Sequence, residues 1–262
     1  MEINRFKNNF AETIFRQKYA QGPNDSWDAL VDRLVEDVCG TRWGTLQALM
    51  SKEDRGQLAQ FMKEMKILAG GRYLYYAGRP YKAYNNCYLL RAEEDTREEW
   101  SNVTWRAMSC LMTGGGIGID YSRLRPSGRA LSRTGGKASG PIPLMYAINE
   151  IGRNVMQGGS RRSAIYASLD SKHEDIPIFL GAKNWQDQMV GNTGQSLKDI
   201  KQDDFNFPAP LDMTNISVNY DDSSGSLVDN AVFLENCRQA MMTGEPGFSF
   251  NFGRSEEHTS EL

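Results

Sequence analysis

Cysteine and histidine are scarce in this sequence, and their positions follow no pattern typical of a metal site. The 262 residues include four cysteines and two histidines, and no two cysteines form a CxxC pair. Zinc sites in proteins are built largely from such closely spaced pairs. We therefore expect no metal held by Cys and His, and free thiols rather than a disulfide framework.

Long apolar segments and an excess of one charge are also missing. The net charge is −3 at pH 7, which gives no basic field for nucleic acid. No segment approaches the roughly 20 apolar residues of a membrane span, and the first residues lack the apolar core of a secretory signal. Hydrophobic residues make up 40% of the sequence, an ordinary share for a globular protein. We expect a cytoplasmic protein with no membrane or nucleic-acid partner.

The spacing of apolar residues divides the chain into two regions. Over 1–83, apolar residues recur at three- and four-residue spacing in segments that begin after Ser26 and Ser51 and end at Gly40 and Gly70, which predicts helices. Over 84–253, short strand-like segments alternate with helical ones. That alternation predicts an α/β fold with parallel strands behind a helical N-terminal region.

The final segment differs from the rest. Residues 254–262 (RSEEHTSEL) are polar and unlike the FSFNF segment shortly before them. They look like the translation of a sequencing adapter rather than of a gene, with an ordinary disordered tail as the alternative. We expect a non-native tail here and leave His258 out of the candidate site.

Two segments rich in glycine and basic residues are candidate phosphate-binding loops. The first loop, 122–143, carries Arg125, Arg133 and Lys137 among glycines and serines. The second loop, 158–162, has the sequence GGSRR. Guanidinium groups and free backbone amides suit phosphate, although a solvated basic loop has the same composition. The GGGIG segment at 114–118 follows a helix instead of opening one, so it indicates a tight turn rather than a dinucleotide site.

Cys87 is the cysteine with the most unusual neighbours. It lies in a predicted strand directly after Asn85 and Asn86. A lone cysteine in a strand is most often a small core residue, but two amides beside it are costly in a core unless they face a polar ligand. The other three cysteines lie on or beside helical core faces and are interpreted as structural. The segment 173–175 (HED) is interpreted as a polar turn before a helix, with no metal role.

The order of these motifs resembles the large-subunit family of ribonucleotide reductases, most nearly its adenosylcobalamin-dependent members. The resemblance extends over roughly residues 10–252. The segments that carry it are NNCYLL (85–90), GGGIGID (114–120), GGKASGPIP (135–143), GGSRRSAIYASL (158–169) and NISV (215–218). It implies a helical region followed by the first half of a ten-stranded α/β barrel.

The resemblance also implies a reaction. Ribonucleoside di- or triphosphates would be reduced to 2′-deoxyribonucleotides for DNA synthesis, by thiyl-radical chemistry with a redox-active cysteine pair. The implied cofactor is adenosylcobalamin, and the implied reductant is thioredoxin or glutaredoxin. The family's finger loop, with its Asn-Pro-Cys-Gly-Glu pattern, and its second reducing cysteine have no match in this sequence. We therefore expect a fragment that is inactive by itself.

Site residues follow from the same resemblance. Cys87 matches the first reducing cysteine, and the implied substrate-binding positions are Asn86, Arg72 and Arg161. A deoxynucleotide effector would bind the two loops and one carboxylate, and the second loop would report effector identity to the substrate base. The implied effector-binding residues are Asp95, Arg125, Arg133, Lys137, Gly158, Gly159, Ser160 and Arg162.

The resemblance also bears on subunit organisation, and two alternatives to it stay open. Asp120 runs directly into the first loop, which resembles the dimeric subgroup and implies a homodimer. One alternative is the catalytic subunit of a two-subunit, oxygen-dependent ribonucleotide reductase. The other alternative is a non-catalytic nucleotide-binding module, for which Cys87 would be dispensable.

Overall fold

The computed structural model describes residues 5–40, 50–132, 135–155, 163–191 and 193–253. The chain divides into two compact units, Met1–Asn86 and Cys87–Leu262. Arg133, the second loop at 158–162 and the tail at 254–262 lie outside the described residues.

The first unit is helical. Its elements are α1 (Asn9–Ile14), a π-helical turn (Phe15–Tyr19), α2 (Trp27–Cys39), α3 (Lys52–Lys63) and α4 (Gly71–Tyr76). The side chains of Ser26 and Ser51 accept hydrogen bonds from the first turns of α2 and α3, which fixes where those helices begin. Helix α3 ends well before Gly70, because Met65 adopts a left-handed φ of 58°. The apolar side chains of the first unit pack into one core, which consists of Phe15, Trp27, Leu30, Val31, Leu34, Val35, Met62, Leu74 and Ala77.

The second unit is a five-stranded sheet with helical crossovers. Its strands are β1 (Cys87–Arg91), β2 (Gly116–Asp120), β3 (Ile165–Asp170), β4 (Thr214–Asp221) and β5 (Gly247–Asn251). All neighbours pair in parallel, in the order β1-β2-β3-β4-β5. The expected α/β fold is therefore confirmed, with the sequential parallel strands that half of an α/β barrel requires.

Helices connect these strands because parallel neighbours need a crossover. They are α5 (Arg97–Met112), α6 (Ile142–Asn154), α7 (Ile176–Leu180), α8 (Leu197–Asp203) and α9 (Ala231–Thr243), with 3-10 turns at Trp185–Asp187, Asp222–Ser224 and Leu227–Asp229. Helix α5 packs on β1 and β2, while α6 and α7 pack on β3. No helix in the described ranges is long and apolar enough to cross a membrane.

One face of the sheet is the core of this unit. Ile117 and Ile119 of β2 and Ala167 and Leu169 of β3 are buried beneath the helices. Each buried Ile or Leu side chain contributes roughly 1.5–3 kcal/mol. Because strand residues alternate between faces, the remaining residues of the same strands lie on the opposite face.

A buried ionic network ties α6 and α8 to the start of β4. The side chain of Asp212 is 2% exposed and lies 2.6 Å from Arg153 and 2.9 Å from Lys201. The side-chain oxygen of Asn149 accepts hydrogen bonds from the Met213 amide and the Thr214 hydroxyl. Burial alone would raise the pKa of Asp212, but hydrogen bonds from Arg153 and Lys201 outweigh it and lower the pKa to about 2.

Replacing Asp212 by Asn should lower the free energy of unfolding by about 2 kcal/mol at pH 7, because Arg153 and Lys201 lose the charge that they share. The Asp212 pKa is lower in the folded chain, at about 2, than in the unfolded chain, at about 4. The stabilisation is therefore complete above that unfolded pKa and is lost as the pH falls through the folded pKa.

Urea denaturation at several pH values measures this difference. The difference in the free energy of unfolding between the wild type and Asp212→Asn should disappear as the pH falls from about 4 to about 2. The exposed Asp203 at the end of α8 gives a matched control, and Asp203→Asn should change stability by less than about 0.5 kcal/mol. A gap that stays constant over this pH range would contradict the assigned pKa.

Candidate functional site

The face of the sheet that carries no helices is polar and rich in glycine. Its residues are fixed by the strand register, which places Cys87 beside Gly116, Leu89 beside Gly118, and Gly118 beside Tyr166. Further along, Asp120 pairs with Ser168, and Ser168 with Ser217. The polar side chains on this open face include Asp120, Ser168, Asn215, Ser217, Asn219 and Ser249. A sheet face of this composition needs a polar ligand or covering segment rather than an apolar core.

The Cys87 thiol lies at the start of β1 on this open face. Cys87 is exposed. A Cβ atom added at the neighbouring Gly116 would lie 3.7 Å from the Cys87 sulfur, and one added at Gly118 would lie 3.5 Å from the Tyr166 ring and 3.7 Å from Leu89. Because the two glycines have no side chains, no atoms project from the sheet beside the thiol at these positions. A reactive group or substrate can approach the sulfur from this side.

The other cysteines have different surroundings. Cys39 packs against the core of the first unit and Cys110 against the core of the second. Burial raises the pKa of both thiols, which lowers the fraction present as reactive thiolate. Cys237 is half-buried on α9. These positions agree with a structural interpretation of the three, and they leave Cys87 as the exposed thiol.

Two of the expected substrate-binding residues belong to the first unit. Arg72 is 8% exposed in α4, and its guanidinium donates a hydrogen bond to the Ala83 carbonyl at 3.1 Å. This bond ties the segment before Asn86 to α4. Asn86 directly precedes Cys87 and is exposed. Arg161, the third expected residue, lies outside the described residues.

A pocket of about 430 Å³ brings together three of the expected effector-binding residues, Asp95, Arg125 and Lys137. The Arg125 guanidinium pairs with the Asp95 carboxylate and donates to the Asp95 carbonyl at 3.0 Å. The complete lining is Asp95, Thr96, Arg97, Trp100, Ser101, Arg125, Leu131, Lys137, Ala138, Ser139 and Gly140.

The chemistry of this pocket suits a nucleotide. Thr96 caps α5, so the first backbone amides of a 16-residue helix lie at the pocket wall, where helix geometry favours an anion. The Lys137 ammonium adds a positive charge, and Trp100 supplies a flat aromatic surface. Such surfaces stack on nucleobases in a sequence-tolerant way. The Arg125 guanidinium is bound to Asp95 and lines the pocket, and its expected role in effector binding stays a prediction.

Hairpin pairing within the first loop places Lys137 at the pocket. Gly128 donates to the Ala138 carbonyl at 2.8 Å and Ala138 donates to the Arg129 carbonyl at 2.7 Å, with an antiparallel bridge between Ala130 and Lys137. Arg129 is ion-paired with Glu174 at the surface. Lys137 has no ion pair with any residue in the described ranges, so its charge is available to a ligand.

The second loop is flanked by described residues that hold its ends. Helix α6 ends at Asn154 and β3 begins at Ile165. The Ser163 hydroxyl donates to the Gly152 carbonyl at 2.7 Å. The loop residues Gly158, Gly159, Ser160, Arg161 and Arg162 lie outside the described residues, so their expected roles stay predictions.

Comparison with known families identifies the class of protein. Residues 85–236 match the family model described as ribonucleotide reductase, barrel domain. This match covers more than half of the chain and includes all of β1 to β4. The chain therefore belongs to the ribonucleotide reductase barrel-domain family.

Individual relatives agree with this family. The vitamin B12-dependent ribonucleoside-diphosphate reductase of Mycobacterium tuberculosis is 29% identical over 178 residues, which are 66% of this chain and 25% of that protein. The ribonucleoside-diphosphate reductase large subunit of vaccinia virus is 31% identical over 128 residues, which are 48% of this chain and 16% of that protein. The chain thus spans about a quarter or less of the length of these curated relatives.

A solved structure shows the same fold. The class Id ribonucleotide reductase alpha subunit of Actinobacillus ureae superposes with a TM-score of 0.66 at 13% sequence identity. The superposition covers 93% of this chain and 40% of that chain. At this identity the similarity is evidence for the fold alone.

The sequence predicted no site role for the polar residues of the open face. Ser168, Ser217 and Asn219 lie in strands and share this face, and the Asn219 amide donates to the Ser168 hydroxyl at 3.1 Å. A sequence signal was present, because polar and apolar residues alternate in NISVN at 215–219. Strict alternation predicts a strand with one polar face.

Cys87 should be the first cysteine to react with a thiol reagent under native conditions, because it is exposed while the other three are half-buried. Iodoacetamide labelling followed by peptide mass spectrometry would measure the rate at each cysteine. The Cys87→Ser variant is the matched control. It should lose the fast-labelled site, while the labelling rates of the other three cysteines stay the same. Equal labelling rates at Cys87 and Cys237 would contradict the exposed position of the Cys87 thiol.

Proposed function

We propose that this chain forms the first half of the catalytic barrel of a ribonucleotide reductase, with Cys87 as one of its two reducing thiols. The observation that carries the proposal is the Cys87 thiol, exposed at the start of β1 on the open face beside Gly116. The substrate would be a ribonucleoside di- or triphosphate. The product would be the corresponding 2′-deoxyribonucleotide, a precursor for DNA synthesis.

The chemistry requires two thiols and a radical. A thiyl radical on a third cysteine removes the 3′-hydrogen of the ribose and later returns it. The 2′ carbon–oxygen bond breaks, the hydroxyl leaves as water, and a carbon–hydrogen bond replaces it. The two electrons come from the thiol pair, which closes to a disulfide. Thioredoxin or glutaredoxin would then reduce that disulfide by thiol–disulfide exchange.

Cys87 suits the reducing role because β1 holds it rigidly. Its backbone is paired with Gly116 in the sheet, so the sulfur has a fixed position relative to any ribose bound on the open face. Fixed geometry of this kind accounts for much of the rate advantage of intramolecular reactions. The partner thiol and the radical cysteine have no match among the four cysteines of this sequence. We therefore propose that the 262-residue chain is inactive by itself.

Adenosylcobalamin is the cofactor that we propose for the complete enzyme. The name of the Mycobacterium tuberculosis relative, which includes vitamin B12-dependent, supports this choice. The low surface that Gly116 and Gly118 leave beside Cys87 fits a bulky group facing the open side of the sheet. When bound, this cofactor supplies the initial radical, whereas the residues of this chain position the thiol and the substrate.

The pocket beside α5 is the proposed site of a deoxynucleotide effector. Lys137 and the first amides of α5 would bind the phosphates, and Trp100 would contact the base. Asp95, held by Arg125, would accept a hydrogen bond from the effector. The second loop would carry the identity of the effector to the substrate base.

A homodimer is the proposed assembly. Trp105, Met108 and Met112 of α5 are 69%, 42% and 58% exposed. Their three- and four-residue spacing places them along one side of the helix. A row of exposed apolar residues on a helix is typical of a protein interface, and a two-fold pairing would place two copies of the row together.

A second candidate is the catalytic subunit of a two-subunit ribonucleotide reductase. The vaccinia virus large subunit favours it, since this relative is 31% identical over 128 residues. In that case a separate subunit would supply the radical. A non-catalytic nucleotide-binding module is the remaining alternative, and it would use the pocket without Cys87.

The full-length protein that contains this sequence should convert ribonucleotides to deoxyribonucleotides only when adenosylcobalamin and a thiol reductant are both present. Product formation measured by chromatography, with no second subunit added, tests this expectation. Cys87→Ser should abolish multiple turnover, because a hydroxyl cannot close a disulfide. Ser226→Ala, which alters an exposed residue before α9 and outside the pocket, is the matched control and should leave turnover unchanged.

The possible results separate the three functions. Activity with adenosylcobalamin supports the cobalamin enzyme, and activity only with a radical-generating second subunit supports the two-subunit enzyme. Normal turnover by Cys87→Ser would overturn the role proposed for its thiol. Deoxynucleotide binding without reduction under either condition would favour the binding module.

Lys137→Gln should weaken deoxynucleoside triphosphate binding about 10-fold, because one charge-assisted phosphate contact is lost. Isothermal titration calorimetry of the full-length protein, at two salt concentrations, measures the Kd and its salt dependence. Lys198→Gln removes an exposed lysine of α8 and serves as the control. An equal loss of affinity in both variants would show a general charge effect instead of a phosphate contact.

A further inference from the structure

The polar turn at 173–175 has contacts that its sequence interpretation did not foresee. Asp175 is 4% exposed, and its carboxylate accepts hydrogen bonds from the Ser127 amide at 2.9 Å and the Ser127 hydroxyl at 2.7 Å. Ser127 lies 48 residues away along the chain, on the outgoing limb of the first loop. A buried carboxylate from the segment between β3 and α7 therefore binds directly to the loop that forms the pocket.

The returning limb of the first loop passes the same carboxylate. A Cβ atom added at Gly140 would lie 2.3 Å from the Asp175 carboxylate oxygen and 2.9 Å from the Ser127 amide nitrogen. Gly140 also has a left-handed φ of 75°, which favours glycine. Asp175, Ser127 and Gly140 therefore meet at one point, the base of the hairpin.

His173 makes the adjoining contact. Its Nδ1 accepts a hydrogen bond from the Asp175 amide at 3.1 Å, and its Nε2 lies 2.8 Å from the Leu124 carbonyl oxygen. Because a backbone amide can only donate and a carbonyl can only accept, these two contacts fit the tautomer that carries its proton on Nε2. His173 thereby binds the first residues of the loop while orienting the Asp175 backbone.

The segment that carries His173 and Asp175 is held in place by helix α7. Asp175 directly precedes α7, and its carbonyl accepts from the Ile178 and Phe179 amides. Ile176 and Phe179 are buried in the core beside β3. Neither His173 nor Asp175 is among the residues that line the pocket, so both act on it through the loop alone.

We propose that His173 and Asp175 are positioning residues that hold the first loop in the conformation that binds the effector. The proposal rests on the effector site proposed above. It extends that site to the buried Asp175 carboxylate and the half-buried His173 imidazole, neither of which lines the pocket. In their absence the hairpin loses the fixed base that presents Lys137 and Gly140 to the pocket, and the ligand has to order the loop at a cost in affinity.

The experiment compares Asp175→Asn with the wild type in the full-length protein. Titration calorimetry with dATP, dGTP, dCTP and dTTP in turn identifies the nucleotide that binds most tightly, which then serves as the probe. Asp175→Asn should raise its Kd about 10-fold. Asp203→Asn, at an exposed aspartate of α8, is the matched control and should leave the Kd within two-fold.

A double-mutant cycle separates positioning from general destabilisation. Ser127→Ala removes the hydroxyl that binds Asp175, and the double variant should lose no more affinity than Asp175→Asn alone, because both changes break the same contact. Strictly additive losses would overturn a shared mechanism. Ser127 is exposed, so Ser127→Ala is expected to fold even if Asp175→Asn does not.

Hydrogen exchange without ligand gives an independent measure. In Asp175→Asn the amides of Gly128 and Ala138, which bond across the hairpin, should exchange at least about 10-fold faster, while those of β3 keep their rates. Unchanged hairpin exchange together with an unchanged Kd would overturn the proposal. Absence of binding by the wild type for all four nucleotides would instead overturn the effector site itself, and the proposal with it.

Discussion

The parallel register of the five strands is the constraint on which the site depends. Because side chains alternate along each strand, burying Ile117 and Ile119 under the helices forces Gly116, Gly118 and Asp120 onto the other face. The same argument applies to each neighbouring strand in turn. A shift of one residue in any pairing would place apolar side chains on the open face and remove the glycines from beside the Cys87 thiol. The position of the thiol is therefore a consequence of core packing on the far side of the sheet.

Parallel strands also separate the site into two ends. Cys87 and Gly116 lie at the starts of their strands, and Ser163 shortly precedes the start of β3. The pocket, by contrast, is built from Asp95 and Arg125, which follow the ends of β1 and β2. Helix α6 begins where the first loop ends and finishes just before the second loop. Its 13 residues span about 20 Å, so one rigid element connects the pocket end of the sheet to the thiol end.

Local sequence signals predicted the elements of this fold better than its long-range contacts. Ser26 and Ser51 marked helix starts because capping depends on residues three positions apart, and strand–helix alternation indicated the parallel sheet. The pairing of Asp95 with Arg125 spans 30 residues, and no periodicity encodes such a contact. The family resemblance supplied those two positions. The role of Asp175 was missed, since a polar residue before a helix already had a sufficient local explanation as a helix start.

Polar anchors suit helix α6 and the first loop for a reason that apolar packing does not provide. The side chain of Asp212 is buried and binds Arg153 and Lys201. Asp175 is buried and binds the amide and the hydroxyl of Ser127, 48 residues away. Apolar contacts are non-directional, so they would hold a loop near the core while allowing it several conformations. A carboxylate that must satisfy its hydrogen bonds accepts few geometries, because a displaced donor leaves a buried charge uncompensated. Burying these carboxylates therefore costs stability, but it restricts α6 and the first loop to few conformations.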